Sequence, residues 1–211
     1  AVEVMVEQEQ KLNDDKIYSM LSQLQPHFLY NALTTISNLC RKDPEEAEET
    51  TVMFSQYLRM NLDSLKKKET VPFNAELQHV KMYLEIEKKR FEDILNIEYD
   101  IKATQFKIPA LSIQPIVENS VKHGICEKGE PGILKISTYA DESKEKYFVV
   151  IEDDGVGFDT SAPRKEDGRS HVGMINVIDR LKIMVGGDVE IISSPGNGCK
   201  TIISIPMVKN N

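Results

Sequence analysis

A histidine lies directly after a proline in a stretch whose apolar residues recur with helical spacing. His27 follows Pro26 in the sequence SQLQPHFLYNAL. Proline inside a helix removes a backbone donor and crowds the carbonyl four residues earlier, which costs about 3 kcal/mol. A helix that carries this cost has a reason, and a neutral imidazole is a competent nucleophile near pH 7. The alternative is a kinked core helix whose histidine is only solvated.

A second group of polar residues lies on a predicted helix with the sequence ENSVKHG. Asn119 can offer its amide oxygen to a hard cation such as Mg²⁺. Lys122 comes three residues later, on the same helical face, and can reach phosphate oxygens, while His123 adds a further donor. For Asn119 alone, an amide satisfied within the core remains an alternative.

An aspartate ends the next apolar β-run and is followed by two glycines. Asp153 begins the sequence DDGVG, in which Gly155 and Gly157 alternate with other residues. A carboxylate at a strand end can accept a hydrogen bond from an exocyclic amine, and glycines let the backbone approach a flat ring. The alternative is an ordinary tight turn at the end of a strand.

The last group opens a helix after a glycine- and charge-rich loop. It comprises Gly173, Met174 and Asn176, in the sequence GMIN. Free N–H groups at a helix N-terminus form an anion site. Together with Asn119 and Asp153, these residues predict a nucleotide-binding site, with magnesium at Asn119, adenine at Asp153 and the phosphates near Gly173.

Two long helices joined by a tight turn are predicted to precede this site. The first runs from Val2 to about Arg41, and Asp43 with Glu46 three residues later resembles a capping box that starts the second. An apolar stripe follows the second helix, at Val52, Ser55, Leu58, Leu62 and Leu65. A hairpin buries one face of each helix, so a second copy forming a four-helix bundle is expected to cover the stripe. The alternative is that the stripe packs on the downstream domain.

The break at VPFN sets the predicted boundary between a helical domain, residues 1–72, and a second domain, residues 73–211. Helices are predicted at 75–90, from Ile108 to a stop at Gly124, and at 173–187. Strands are predicted at 94–101, 132–140, 146–154, 188–194 and 200–206, with a long lid-like loop at 155–170. Because strands and helices interleave without a regular βαβ repeat, the second domain is predicted to be an α+β sandwich.

The composition is that of an ordinary globular protein, with 40% apolar and 28% charged residues among 211. The net charge of −8 disfavours binding to nucleic acid or anionic membranes, which both require clustered positive charge. The three cysteines show no CxxC spacing, so neither a disulfide framework nor a zinc site is indicated. No apolar run approaches the length needed to span a bilayer, so no direct membrane contact is expected of this segment. The chain starts within a predicted helix, which indicates a piece of a longer protein.

These motifs together resemble the kinase core of sensor histidine kinases of the LytS/YesM type. QLQPHFLYNAL is similar to that family's phosphoacceptor motif, and IPALSIQPIVENSVKHG to its N-box. VIEDDGVGF and HVGMINVIDRL are similar to its two glycine boxes, and SSPGNGCKTIISIP to its closing strand pair. VPFNAELQHVKMYLEIEKKRF resembles the linker typical of this family.

The resemblance implies a GHKL-type ATP-binding fold, a homodimer, ATP and Mg²⁺. It further implies transfer of the γ-phosphoryl group to His27 and then to an aspartate in the receiver domain of a response regulator. It also implies the cytoplasmic domain of a membrane sensor protein. Many histidine kinases have an acidic residue after the phosphoacceptor, but Phe28 stands here, so Glu118 is the hypothetical general base. Cys199 replaces the threonine of the closing GxGT pattern, so a contact of that hydroxyl is not expected.

Two other functions remain open at this point. A GHKL-type serine kinase or ATPase switch would keep the ATP site but would not need a histidine on a proline-containing hairpin. A dimeric scaffold with a vestigial nucleotide site would not need to retain Asn119, Lys122 or Asp153. Of the other histidines, His79 is predicted to be a solvated helix residue.

Overall fold

The structure is a computed structural model that describes residues 26–66, 69–160 and 170–207. Its contacts divide the chain between Lys66 and Lys67 into two compact units, each described by itself. The part of the predicted first helix that precedes Pro26, and part of the predicted lid, lie outside the described residues. The assignment of residues 1–72 and 73–211 to two functional domains stays a prediction.

The first unit is a hairpin of two helices, α1 (Pro26–Lys42) and α2 (Pro44–Lys66). Asp43 separates them, and its Oδ1 accepts a hydrogen bond from the backbone N–H of Glu46 at 3.0 Å. This bond satisfies one of the N–H groups that a helix start leaves unpaired. The capping signal in the sequence therefore starts α2 as predicted.

The inner faces of the two helices form a small core. Its buried members are Phe28, Ala32, Thr35, Ala47, Thr50, Phe54, Tyr57 and Asn61. The predicted stripe of α2 lies on another face, where Val52 remains 52% and Leu62 37% exposed. Tyr30 and Leu33 of α1 are also exposed, so apolar side chains of both helices reach the hairpin surface.

The second unit combines helices with a mixed sheet. Its elements are β1 (Thr70–Pro72), α3 (Phe73–Arg90), β2 (Leu95–Ile101), β3 (Lys107–Pro109), α4 (Gln114–Asn119), a π-helical segment (Ser120–Ile125), α5 (Cys126–Lys128), β4 (Gly132–Asp141), β5 (Lys146–Asp153), α6 (Ser170–Val185), β6 (Asp188–Ser193) and β7 (Cys199–Pro206). Five strands form one sheet in the order β2-β4-β5-β7-β6, and β1 pairs with β3 separately. Only β2 and β4 are parallel neighbours in the large sheet.

The alternating residues of the central strands explain why one face of the sheet is buried. Leu134, Ile136, Val149, Ile151 and Ile203 are fully buried. Their strand neighbours in sequence point the other way, because successive side chains in a strand alternate between faces. The predicted α+β architecture is therefore observed. Within the described residues, no helix is both long and apolar enough to cross a membrane.

The helix that carries Asn119 differs from its prediction at both ends. Residues 107–109 form strand β3, and Leu111 adopts a left-handed φ of 56°, so the helix begins only at Gln114. Gly124 does not end the helix, which continues as a π-helical segment and α5 to Lys128. The left-handed residue that ends it is Gly129, with a φ of 70°.

The prediction for His79 was wrong. This side chain on α3 is 2% exposed, and its burial lowers the pKa of the imidazole to about 4. The charged residues around it in the sequence suggested a solvated face. In the structure, however, the side of α3 that carries His79 is buried in the unit. Its neighbours Glu76, Val80, Tyr83 and Glu87 are buried as well.

Candidate functional site

His27 lies on α1 with its side chain exposed. The amide of Asn31, one helical turn later, places Nδ2 2.9 Å from Nδ1 of the imidazole. This contact orients the ring about its Cβ–Cγ bond and engages one of its two nitrogens. The hydrogen bond at one ring nitrogen sets the state of the other, so this contact bears on the reactivity of the whole imidazole.

Phe28, the residue after His27, anchors this part of α1 to α2. Its ring makes edge contacts with Phe54 at 6.1 Å and with Tyr57 at 5.0 Å between centroids. Because neighbouring residues on a helix point about 100° apart, burying Phe28 keeps His27 on the exposed flank. The residue that departs from the usual histidine kinase pattern thus has a structural role in presenting the histidine.

The helix with Asn119 changes its hydrogen-bond pattern within the predicted site. After α4, the N–H of Cys126 bonds to the carbonyl of Val121, five residues earlier, as in a π-helix. Such segments are rare and are frequent at functional sites. This π-helical segment contains Gly124, which lies next to the residues that follow β5. The N–H of Val156 donates a hydrogen bond to the carbonyl of Gly124 at 3.2 Å.

Glu118 is almost fully buried beside this segment, with 7% of its surface exposed. Gln114 Nε2 donates a hydrogen bond to its Oε1 at 2.6 Å. Burial raises the pKa of Glu118 to about 7, with a further rise from the charge of Glu87 and an opposing effect of Lys122. A carboxyl group with such a pKa can take up or release a proton near neutral pH.

The other predicted residues on this helix are more accessible. Asn119 is half-buried, and Lys122 and His123 are exposed. His123 Nδ1 lies 2.8 Å from Glu127 Oε1, and this hydrogen bond competes with the predicted phosphate contact. No cluster of three or more His, Cys, Asp or Glu that could hold a metal occurs among the described residues. A magnesium ion at Asn119 would therefore take its other ligands from phosphates and water, which is how Mg²⁺ usually binds.

Asp153, at the end of β5, is 4% exposed. Its Oδ1 accepts a hydrogen bond from the N–H of Gly155 at 3.1 Å. Burial raises the pKa of this carboxyl, and the nearby Ser120 hydroxyl and the N–H groups of Gly155 and Cys199 oppose that rise. Its Oδ2 is buried, and no well-formed hydrogen bond to it occurs among the described residues. A buried acceptor without a donor is costly, and an exocyclic amine would satisfy it. This group fits the predicted contact with adenine.

Glycines surround the Asp153 carboxylate because no larger residue fits. A Cβ on Gly124 would lie 2.6 Å from Asp153 Oδ1, and one on Gly155 would collide with the backbone of Gly124. Gly157 has a φ of 61°, and a Cβ there would collide with the Ser194 carbonyl oxygen. The two predicted glycines are therefore required by close backbone approaches, of Gly155 to Gly124 and of Gly157 to Ser194.

The helix after the predicted lid starts earlier than expected. α6 begins at Ser170, three residues before the predicted start at Gly173. Of the three predicted phosphate-binding residues, only Gly173 falls in the first turn, whose N–H groups lack partners within the helix. The N–H groups of Met174 and Asn176 lie deeper in α6, where the helix itself engages them. Their expected contact with phosphate through free N–H groups therefore does not agree with the helix bounds.

The structure adds two residues that the sequence did not single out. Gln114 fixes Glu118, and its position four residues earlier was the available signal, since such pairs share a helical face. Gly124 contacts Asp153, but a glycine at an apparent helix end is normally read as a cap. His27 belongs to the first unit and Asp153 to the second.

Two protein families match the chain in succession. The family described as "Histidine kinase" matches residues 16–95. The family described as "Histidine kinase-, DNA gyrase B-, and HSP90-like ATPase" matches residues 110–209. The first match includes His27 and α3, and the second includes Asn119, Asp153 and the strands around them.

Curated relatives match over most of the chain. Protein YwpD of Bacillus subtilis (strain 168) is 38% identical over 195 residues, which cover 89% of this chain and 69% of YwpD. Sensor histidine kinase YpdA of Escherichia coli (strain K12) is 34% identical over 184 residues, 85% of this chain and 32% of YpdA. Sensor protein LytS of Oceanobacillus iheyensis is 31% identical over 191 residues, again 85% of this chain and 32% of LytS. The chain thus spans about a third of the length of these two sensor proteins.

A solved structure supports the architecture. The histidine kinase domain of the Erythrobacter litoralis EL346 blue-light activated histidine kinase superposes with a TM-score of 0.50. The two sequences are 15% identical, and the match covers 83% of this chain and 94% of that domain. At this identity the likeness concerns the fold, and it confirms the predicted succession of a helical region and an ATPase-type α+β domain.

Proposed function

We propose that this chain, which belongs to the histidine kinase family, is the catalytic core of a LytS-type sensor histidine kinase. The family predicted from the motifs is confirmed by the matched relatives. The proposed reaction transfers the γ-phosphoryl group of ATP to His27 and then to an aspartate of a response regulator. The observation that carries the proposal is the presence, in one chain, of an exposed, oriented histidine and a buried carboxylate suited to adenine.

In the first step, a ring nitrogen of His27 forms a bond to the γ-phosphorus. The bond between this phosphorus and the bridging oxygen breaks, and ADP leaves with the electron pair. The imidazole gives up one proton, which Glu118 is proposed to accept, since its pKa of about 7 allows this near neutral pH. Asn31 contributes to the orientation of the ring through its contact with Nδ1, but the transfer itself does not require it.

The remaining residues of the site are proposed to bind ATP and to neutralise the charge of its phosphates. Asp153 is proposed to accept a hydrogen bond from the adenine amine, and Asn119 to hold Mg²⁺ on the phosphates. A magnesium ion supplies charge neutralisation for the phosphoryl group when bound. Lys122 and the first turn of α6 at Gly173 add positive charge and N–H donors for the phosphates.

The hairpin is proposed to form the interface of a homodimer. Tyr30 is 72% and Leu33 56% exposed on α1, and Val52 is 52% exposed on α2. A second hairpin would remove these apolar side chains from water. The receiver domain of the response regulator is the second proposed partner, and the chain is proposed to be the cytoplasmic part of a membrane sensor.

Asn31 is also the candidate for a phosphatase activity toward the regulator. It lies one turn after His27, where an amide can orient a water molecule. We expect Asn31→Ala to abolish dephosphorylation of a phosphorylated regulator while His27 is still labelled by ATP. Unchanged dephosphorylation by the variant would count against this role.

The chemistry of the labelled product separates the proposal from its rivals. After incubation with Mg²⁺ and γ-labelled ATP, a phosphohistidine is acid-labile and alkali-stable, whereas phosphoserine is acid-stable. We expect acid-labile label on the wild type and none on His27→Ala. Acid-stable label that survives in His27→Ala would favour the serine kinase. ATP binding without any label would favour the scaffold.

A further inference from the structure

The turn before α4 is held from two sides by charged residues of two other helices. It comprises residues 110–113 and joins β3 to the helix that carries Glu118 and Asn119. We propose that Glu76 of α3 and Arg180 of α6 are positioning residues of the nucleotide site, which lock this turn so that α4 presents Asn119 to the nucleotide. The inference rests on the proposed function, because it concerns the same site.

Glu76, a residue of α3, caps the start of α4. It is 2% exposed, and its two carboxylate oxygens accept the N–H groups of Leu111 at 2.9 Å and Ile113 at 3.0 Å. The carbonyl of Ile113 is the first acceptor of α4, since it takes the N–H groups of Ile116 and Val117 at 3.1 Å each. No side chain of the turn itself caps this helix. The start of α4 is therefore defined by a carboxylate on another helix.

The turn needs this support because its backbone is strained. Leu111 has a φ of 56°, and a left-handed conformation is unfavourable for a residue with a side chain. Burial raises the pKa of Glu76, and the bonds from Ile113 and Leu111 oppose that rise. The carboxylate and the strained turn thus stabilise each other.

Arg180, a residue of α6, binds the same turn. Its Nη2 donates to the carbonyl of Leu111 at 2.8 Å, and its charge attracts Glu76. Arg180 lies on α6, whose first turn carries Gly173. Leu111 is therefore bound through its N–H to α3 and through its carbonyl to α6. The turn that leads into α4, the helix of Asn119, is thus tied to α6, the helix whose first turn is proposed to contact phosphate.

The segment that leads into the turn is fixed by the beginning of α3. β1 pairs with β3, with Val71 opposite Ile108, and the N–H of Phe73 bonds to the carbonyl of Phe106 at 2.9 Å. Residues 106–113 are therefore attached at several points to the segment that follows the hairpin in the chain. The position of β3, and with it the start of the turn, therefore depends on this segment as well as on Glu76.

The test compares variants with controls that remove the same charge from an exposed position of the same helix. Glu76→Gln is matched by Glu85→Gln on α3, and Arg180→Met by Lys182→Met on α6. ATP binding is measured by calorimetry with Mg²⁺, below the thermal transition of each variant. We expect Glu76→Gln and Arg180→Met to bind ATP at least tenfold more weakly, and both controls to remain within twofold of the wild type.

Two further readouts separate positioning from general stability. The double variant Glu76→Gln/Arg180→Met should bind little more weakly than Glu76→Gln alone, because both residues act on one turn. Leu111→Gly added to Glu76→Gln should recover affinity, since glycine adopts the left-handed φ without strain. If Glu76→Gln does not fold, the Arg180 pair decides the question.

The outcomes are distinct. Folded variants that melt earlier but bind ATP as tightly as the wild type would overturn the positioning role and leave the proposed function intact. A wild-type chain that does not bind ATP would overturn the proposed function, and the positioning role with it.

Discussion

Gly124→Ala should weaken ATP binding strongly with little loss of stability. The residue lies in a helical segment, where alanine is favoured over glycine by about 0.5–1 kcal/mol. Its new Cβ, however, would lie 2.6 Å from Asp153 Oδ1 and 2.9 Å from Cγ. Ordinary contact begins near 3.4 Å, so the carboxylate must move by about 0.8 Å, the difference between 3.4 and 2.6 Å. A displacement of that size breaks a hydrogen bond to adenine.

The loss can be converted to affinity. A hydrogen bond to a charged group contributes about 1.5–3 kcal/mol. At 1.4 kcal/mol per factor of ten, ATP should bind about tenfold to a hundredfold more weakly. Calorimetric titration with Mg²⁺ and ATP gives the affinity, and thermal denaturation gives the stability of the same sample.

Gly129→Ala is the matched control for this substitution. Gly129 has a φ of 70°, and no atom lies within 4 Å of the point that a Cβ would occupy. Alanine there should destabilise the chain by about 1–2 kcal/mol without touching the site. Gly124→Ala should therefore lose ATP affinity but little stability, whereas Gly129→Ala should lose stability but keep its ATP affinity. Wild-type ATP affinity in folded Gly124→Ala would refute the assignment of Asp153 as the adenine contact.

Three other predictions concern the buried groups. Because burial keeps His79 neutral in the folded chain, with a pKa of about 4, the unfolded chain binds more protons between pH 4 and 6.5. The wild type should lose about 3 kcal/mol of stability as the pH falls through that window, and denaturant titrations of His79→Leu should show a flatter profile. Phe28→Ala should destabilise the hairpin by about 3–5 kcal/mol, measured by helical circular dichroism, whereas Leu33→Ala on the exposed face should not. If Glu118 is the base, the labelling rate of the wild type should rise with pH through about 7, and Glu118→Gln should remove this rise. An unchanged rate profile in that variant would exclude the role.

Local signals predicted most of the fold. Asp43 and Glu46 mark the start of α2, and the alternating apolar residues of β4 and β5 mark a strand pair. These patterns depend on residues that are close in sequence, so they can be read without knowing the tertiary structure. The same holds for Asp153 and the glycines after it.

Long-range contacts decide the features that the sequence did not predict. The start of α4 depends on Glu76, which is 37 residues from Ile113 in sequence. Gly124 is required by Asp153 on another element, and the burial of His79 depends on how α3 packs. A pattern within one segment carries no information on such partners.

The position of the phosphoryl group in the product tests the central claim most directly. The wild type and His27→Gln would be incubated with Mg²⁺ and ATP, kept at neutral or alkaline pH and analysed by tandem mass spectrometry. We predict a phosphoryl group on His27 in the wild type and no modification in the variant, with ATP binding unchanged. A phosphoryl group on a serine, or on another histidine in both proteins, would contradict the assignment of His27 as the acceptor.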